Sequence, residues 1–158
     1  MARSATLPRR GFYFDLQRFA DQLAKLQTPT TPALSLMYAL AEQLDYIADE
    51  GLDGRFRRHW DMAERCWAWV AAAGERLGVR LTVLAPAGYR SPTVTCIQVP
   101  KPLSPTAIVT AMKDRGFVIG SGYGKLKDST IRIGHMGDHT ASELEVLLST
   151  LEEVMQQQ

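Results

Sequence analysis

One arginine near the end of the chain has the surroundings of a carboxylate-binding residue. Arg132 lies between the β-branched residues Ile131 and Ile133, so the alternation predicts a strand with the arginine on one face. Gly134 and Gly137 follow and release the chain from that strand. A planar guanidinium donates to two oxygens at once, which suits a carboxylate or a phosphate. The competing interpretation is an arginine on the solvent face of an edge strand, and spacing alone favours it.

Two threonines form a second candidate site. Thr28 and Thr31 each precede a proline, which disfavours helix at both positions and predicts an extended connector over residues 27–32. Thr31 followed by Pro32 is also a helix-start signal, with a hydroxyl N-cap and then a proline at the first helical position. Because free N–H groups at a helix N-terminus bind anions, both hydroxyls are candidates for an anion site. Simple capping is the interpretation that the sequence alone favours.

The other reactive side chains form no catalytic pattern. His59, His135 and His139 lack metal-ligand spacing, so no metal site is predicted. No serine has the context of a nucleophile elbow. Cys66 and Cys96 lie in apolar segments and predict buried free thiols rather than a disulfide. The residues alone therefore assign no catalytic role.

Composition limits the class of protein and of partner. The chain has 158 residues, 46% of them hydrophobic, and a formal net charge of +1, which is typical of one globular domain, with or without an extended arm. A nearly neutral chain disfavours nucleic-acid binding by phosphate neutralisation. No apolar run approaches the roughly 20 residues that span a bilayer. The basic opening at residues 1–10 lacks the apolar core of a signal peptide, so we expect no membrane partner and a cytoplasmic location.

Three helices are predicted in the first half of the chain. Apolar residues recur at near-helical spacing over residues 16–26 and again from Pro32 to Gly51. A third helix, with Asp53 as its N-cap, runs to about Leu77. The predicted buried stripe of this helix follows four-three spacing: Phe56, Trp60, Ala63, Trp67, Val70, Gly74 and Leu77.

The charged residues at the start of this long helix lie outside its apolar stripe. Arg55, Arg57, Arg58 and His59 form a run that is typical of a solvated helix face. We therefore predict no chemistry for them.

Short β-rich segments follow the long helix. Four strands are predicted, at residues 81–84, 93–99, 117–119 and 129–133. A helix capped by Ser104 separates the two strand pairs, and a capping box from Thr140 to Glu143 opens a last helix. The order helix, strand, strand, helix, strand, strand, helix predicts a two-layer α+β unit. Its mostly antiparallel sheet would carry helices on one face.

Several segments of the chain, taken together and in order, resemble the second half of the class V aminotransferases. Within that family they are most similar to the alanine–glyoxylate and serine–pyruvate aminotransferase branch. The segments are residues 11–16 (GFYFDL), 28–35 (TPTTPALS), 49–52 (DEGL), 57–59 (RRH), 90–95 (RSPTVT) and 132–137 (RIGHMG).

The resemblance implies a fold and a site. The fold would be that of a fold-type I pyridoxal-phosphate enzyme, with residues 31–158 as its C-terminal small domain and residues 1–30 as an N-terminal arm and connector. Arg132 would bind the α-carboxylate of a small amino acid or of a 2-oxo acid such as glyoxylate or pyruvate. Thr28 and Thr31 would reach the cofactor phosphate of the neighbouring subunit in a homodimer.

The same resemblance places the Schiff-base lysine in a large domain that precedes these segments. The lysines of this chain match no lysine position of the family: Lys25, Lys101, Lys113, Lys125 and Lys127. We therefore expect the chain alone to hold no covalent cofactor and to lack transaminase activity. We expect it to associate with the missing large domain or with a second copy. The alternative is a stand-alone, non-catalytic module for small-carboxylate binding or dimerisation.

Overall fold

The chain divides into two compact units, Met1–Asp49 and Glu50–Gln158. The computed structural model describes residues 2–8 and 11–158. Met1, Arg9 and Arg10 of the basic opening lie outside the described residues.

The first unit is helical. Helix α1 spans Ala2–Ala5, α2 spans Leu16–Leu23 and α3 spans Leu34–Glu50. The Asp15 carboxylate caps α2 by accepting from the backbone N–H groups of Gln17 and Arg18 at 3.2 and 3.5 Å. Neither α2 nor α3 contains a buried residue.

The predicted start of α3 was wrong by a few residues. The helix begins at Leu34 rather than at Pro32, and Thr31 is therefore not its N-cap. The N–H of Leu34 donates to the carbonyl of Pro32 at 3.0 Å, which makes a tight turn where the first helical residues were expected. The first helix-type bond in this region runs from the N–H of Met37 to the carbonyl of Ala33.

The second unit opens with α4, Leu52–Leu77. Its N-cap is Gly51, with a φ of 76°, so the prediction of Asp53 as the cap was wrong. Asp53 lies instead in the first turn, where its negative charge complements the helix dipole. Gly78 ends the helix in the left-handed conformation that glycine favours.

The buried face of α4 differs from the predicted stripe. Phe56 and Trp60 are 57% and 45% exposed, whereas the buried apolar residues are smaller on average: Met62, Ala63, Cys66, Val70, Ala73 and Gly74. Small side chains allow close approach, and a Cβ at Gly74 would lie 2.9 Å from the carbonyl oxygen of Val79. The prediction was right for Ala63, Val70 and Gly74, which are buried, and wrong for Phe56 and Trp60 at the start of the helix.

Four antiparallel strands form one sheet in the order β1-β2-β4-β3. Their bounds are Thr82–Val83 for β1, Val94–Gln98 for β2, Gly120–Ser121 for β3 and Thr130–Gly134 for β4. Helices α5, Pro105–Asp114, and α6, Ala141–Gln156, join α4 in a common core with the inward side chains of the sheet. Ile97, Ile131 and Ile133 are fully buried there, and each contributes roughly 1.5–3 kcal/mol. The predicted two-layer α+β unit is confirmed.

Both predicted caps in this unit are present. The hydroxyl of Ser104 accepts from the N–H of Ala107 at 3.3 Å at the start of α5. Thr140 and Glu143 form the capping box of α6. These signals are local in sequence, which is why they could be identified without the fold.

The strand predicted at residues 117–119 was wrong. Pairing to β4 occurs instead at Gly120 and Ser121, which lie opposite Arg132 and Ile131. The N–H of Phe117 donates to the carbonyl of Met112 at 2.9 Å and so closes the C-terminus of α5. A cavity of about 360 Å³ lies between residues 116–119, the end of β4 and α6.

Candidate functional site

Arg132 lies on the face of the sheet that points away from α4, α5 and α6. Its neighbours Ile131 and Ile133 are fully buried, while Arg132 itself is exposed. The register places Arg132 between Cys96 of β2 and Gly120 of β3. The strand and the facing predicted from the alternation are therefore confirmed.

The guanidinium of Arg132 is held from one side. Its Nε–H donates to the backbone carbonyl of Ser121 at 2.8 Å. Gly120 lies beneath the same side chain, since a Cβ built there would be 3.3 Å from both Nε and Nη2. The guanidinium group thus lies against the backbone of β3.

Arg132 has no salt bridge to an acidic side chain in the described part of the chain. Its remaining N–H groups therefore stay available to an oxyanion from outside. A guanidinium pairs with carboxylate oxygens through two parallel hydrogen bonds. The chemistry of the position is anion binding, because a guanidinium offers hydrogen-bond donors and no acceptor.

The loop between β3 and β4 is built against the same strand. The N–H of Gly122 donates to the carbonyl of Thr130 at 2.9 Å, and the Thr130 hydroxyl donates to the carbonyl of Leu126 at 2.8 Å. A side chain on Gly122 would collide with these same groups, the Leu126 carbonyl and the Thr130 hydroxyl. Close packing therefore requires the glycine and fixes the loop beside Arg132.

Thr28 and Thr31 lie in the first compact unit, in the turn that precedes α3. They line an open depression together with the rest of residues 26–32. The Thr28 hydroxyl donates to the carbonyl of Thr30 at 2.7 Å, whereas within the described residues no hydrogen bond is made by the Thr31 hydroxyl. No lysine or arginine lines this depression, so its anion-binding capacity rests on hydroxyl and amide groups.

Four charged residues of the second unit form an arginine clamp, defined here as Glu50, Arg55, Arg58 and Asp138. Arg55 bridges Glu50 at 3.0 Å and Asp138 at 2.9 Å. Arg58 makes a two-bond fork with the Glu50 carboxylate, with its Nε and Nη2 at 2.7 and 2.8 Å from the two oxygens. The clamp therefore ties the start of α4 to the loop that follows β4.

The arginine clamp also holds the backbone of that loop. Arg58 donates to the carbonyls of Gly137 and His139 at 3.0 and 2.5 Å, and His59 lies 3.2 Å from the same Gly137 carbonyl. Hydrogen bonding from Arg58 is the largest cause that lowers the pKa of Glu50 to about 2. The prediction of a purely solvated face for Arg55, Arg58 and His59 was wrong.

A chain of buried polar groups lies at the end of β4. His135 is 1% exposed, and its two ring nitrogens lie 2.8 Å from the Thr95 hydroxyl and 3.1 Å from the carbonyl of Pro92. The indole N–H of Trp67 donates to the same hydroxyl at 2.9 Å. Burial lowers the pKa of His135 and so favours the neutral imidazole.

The partners of this chain determine the histidine tautomer. The carbonyl of Pro92 can only accept, so Nδ1 of His135 carries the proton. Nε2 is then the acceptor, and the Thr95 hydroxyl donates to it while accepting from Trp67. With a protonated ring, Nε2 and the Trp67 indole would both donate to the Thr95 oxygen, and the Thr95 hydroxyl proton would lose Nε2 as its acceptor.

The two cysteines are free. Cys66 is buried and Cys96 is partly exposed. Burial raises the pKa of the Cys66 thiol to about 11. An unreactive thiol is therefore expected at this position.

No family model matches the chain, but individual proteins do. An L-aspartate–glyoxylate aminotransferase of Paracoccus denitrificans is 32% identical over 153 residues, which are 96% of this chain and 37% of that protein. A protein of Synechococcus named as the small subunit of a soluble hydrogenase is 31% identical over 154 residues, 97% of this chain and 38% of that protein.

A solved structure gives the same result. The alanine–glyoxylate aminotransferase of a Nostoc species superposes with a TM-score of 0.79 and 27% identity, covering 93% of this chain and 39% of that one. The chain belongs to the class V aminotransferases. It corresponds to a C-terminal portion of such an enzyme, and the family depends on pyridoxal phosphate.

This class V aminotransferase chain spans less than two fifths of the length of the curated relatives described above. All five of its lysines, named above, are exposed. In the described part of the chain no helix is both long and apolar enough to cross a bilayer.

Sequence reasoning missed two parts of this aminotransferase portion. The first is the support of Arg132 by the backbone of Gly120 and Ser121, for which the sequence carries no local signal. The second is the arginine clamp, for which a signal existed. Arg55 and Arg58 are three residues apart on one helix, so their side chains share a face and can bind one carboxylate together.

Proposed function

We propose that this chain forms the substrate-carboxylate side of a pyridoxal-phosphate-dependent class V aminotransferase. Residues 31–158 would act as the small domain, and residues 1–30 as the arm that leads into it. The substrates would be a small amino acid and a 2-oxo acid such as glyoxylate or pyruvate. The observation that carries the proposal is the Arg132 guanidinium, which is exposed on the open face of the sheet and supported through its Nε–H alone.

Arg132 would bind the α-carboxylate of either substrate through its remaining N–H groups. Charge-assisted hydrogen bonds to an exposed fork are worth about 1.5–3 kcal/mol each. The guanidinium of Arg132 alone would therefore bind a carboxylate with a dissociation constant on the order of millimolar or weaker. Tighter binding would need further groups, which the rest of such an enzyme would supply.

The cofactor chemistry would lie outside this chain. When bound, pyridoxal phosphate supplies the electron sink for transamination. All the lysines of this chain are exposed, so none lies in the closed, apolar pocket that activates a Schiff-base lysine. We therefore propose that the chain holds no covalent cofactor and does not transaminate alone.

Thr31 is the better candidate of the two threonines for a contact to the cofactor phosphate of a neighbouring subunit. A phosphate oxygen accepts hydrogen bonds, so the threonine must donate. The Thr28 hydroxyl already donates to Thr30. The Thr31 hydroxyl, which bonds no described residue, would donate without giving up an existing bond.

The carboxylate part of the proposal is tested by titration. The ¹⁵N-labelled chain would be titrated with glyoxylate or pyruvate and followed by NMR. Binding should be lost in Arg132→Ala but kept in Arg57→Ala, a matched removal of an exposed arginine from α4. Pyruvamide, which lacks the charge, should not bind. Equal shifts for wild type and Arg132→Ala, or for pyruvate and its amide, would refute carboxylate binding at this residue.

The cofactor part needs a separate experiment. The chain would be mixed with pyridoxal phosphate, reduced with borohydride and digested for mass spectrometry. We expect no modification concentrated at a single lysine. Stoichiometric labelling of one lysine would contradict the proposal that this chain holds no covalent cofactor.

The alternative proposal is a stand-alone module that dimerises, and one observation favours association of some kind. Helices α2 and α3 bury nothing within their unit, and many of their large apolar side chains are more than half exposed. Light scattering with an intact mass would distinguish the two proposals. Capture of a separately expressed large domain supports the enzyme portion, whereas a stable homodimer that does not bind such a domain supports the module.

A further inference from the structure

Gly120 is a glycine that its own backbone does not require. Its φ is not positive, so any L-residue could adopt its conformation. It pairs with Arg132 at the edge of the sheet, where β-branched residues are the usual choice. A reason other than conformation must therefore favour glycine here. In this structure the reason is the lack of room for a side chain.

The space above Gly120 is taken by the arginine. A Cβ at this position would lie 3.3 Å from Nε and from Nη2 of Arg132 and 3.4 Å from its Cβ. These distances are tighter than ordinary carbon contacts, so the guanidinium would have to move by a few tenths of an ångström. The same movement would strain the 2.8 Å bond from Nε to the Ser121 carbonyl.

That bond limits how a carboxylate can approach. A guanidinium offers two kinds of fork, one from Nε with the adjacent Nη and one from the two Nη atoms. Because the Nε–H of Arg132 donates to Ser121, the first fork has already lost one donor. The fork of the two Nη atoms remains complete.

We propose that Gly120 and the Ser121 carbonyl position Arg132 so that a carboxylate binds end-on, through Nη1 and Nη2. Gly120 is a positioning residue. Because it has no side chain, the guanidinium of Arg132 can lie against the backbone of β3 and keep its bond to the Ser121 carbonyl. The inference rests on the proposed function for its ligand. The orientation of the side chain is measured without any ligand.

The first measurement is hydrogen exchange at the Arg132 Nε–H, followed by NMR and assigned by its loss in Arg132→Lys. A bond of ordinary strength to a charged donor slows exchange by about tenfold or more relative to an unbonded group. We expect this protection relative to the exposed Arg57. Gly120→Ala should lower it several-fold, and the bulkier Gly120→Val should remove it.

Gly134→Ala is the matched control. Gly134 also lies in the sheet with an ordinary φ, and its added Cβ would come no closer than 3.6 Å to any atom, the Cε of Met136. Protection of the Arg132 Nε–H should survive this change. Wild-type exchange as fast as that of Arg57, or full protection in Gly120→Val, would overturn the proposal.

A second measurement separates this inference from the proposed function. With pyruvate present, the Nη signals of Arg132 should shift while its Nε–H stays protected. Loss of Nε–H protection on binding would overturn the end-on fork. Absence of any pyruvate effect would contradict carboxylate binding, while the exchange data would still decide the positioning of Arg132.

Discussion

Replacing Thr95 with valine would break the buried polar chain at its centre. Valine has nearly the shape of threonine, so the change removes the hydroxyl and leaves the packing almost unchanged. Two partners then lose their bonds, Nε2 of His135 and the indole N–H of Trp67. The effect on stability is therefore set by how well water can replace the hydroxyl at each partner.

The magnitude follows from the burial of the two partners. His135 is 1% exposed, so its unpaired Nε2 costs about 1–3 kcal/mol. Trp67 is partly exposed, and water can reach its N–H in part, so the lower figure of about 1 kcal/mol applies there. We expect Thr95→Val to reduce the free energy of unfolding by about 2–4 kcal/mol.

Urea denaturation followed by circular dichroism would measure this change. The midpoint should fall while the slope stays the same, because the surface exposed on unfolding hardly changes. Thr82→Val is the matched control, since Thr82 lies in β1 and its hydroxyl bond to Gln98 is on the surface at 3.3 Å. We expect a change within about 0.5 kcal/mol there. Equal effects of the two substitutions would refute the reasoning about the buried chain.

Three other predictions concern stability and are measured by the same denaturation assay. Gly122→Ala should cost about 3 kcal/mol or more, because its Cβ would collide with a backbone carbonyl and the Thr130 hydroxyl; a change under about 1 kcal/mol would contradict the packing of that loop. Arg58→Lys should cost about 1–2 kcal/mol, because an ammonium cannot span a carboxylate and two loop carbonyls; Arg57→Lys, at an exposed neighbour, should be neutral. The pKa of His135 is lower in the folded chain than its ordinary 6.5, so the unfolded chain binds more protons below that pH. The free energy of unfolding therefore decreases as the pH is lowered. From pH 7.5 to 5.5 this single group removes at most about 1.4 kcal/mol, and a smaller pH dependence is expected for His135→Gln; an unchanged one would sink the assignment.

Several features of the fold were predictable because their causes are close together in sequence. The alternation around Arg132 gave its strand and its exposed face, since side chains point to opposite faces with a period of two. The caps at Ser104 and Thr140 were predictable for the same reason, as donor and acceptor lie three residues apart. The strand and the exposure of the candidate residue could thus be predicted from sequence, and the resemblance to the class V aminotransferases suggested a carboxylate as its ligand.

Other features depended on contacts between distant segments. Periodicity placed Gly74 on the buried face of α4, but its close approach to the Val79 carbonyl, which requires a glycine, depends on how the chain packs after the helix. Arg58 binds carbonyls 79 and 81 residues further along the chain, so its run of charges resembled an ordinary solvated face. The proximity of Gly120 to the guanidinium could not be seen in the sequence, because Arg132 is twelve positions away.

The sequence by itself determined the α+β class, the strand that carries Arg132 and the family. Each of these follows from local periodicity or from short ordered segments. Only the tertiary structure decided how that arginine is held, which residues anchor the loop after it, and which groups the two ring nitrogens of the buried His135 bond. These depend on hydrogen bonds across the fold, whose partners become neighbours only when the sheet and helices have packed together.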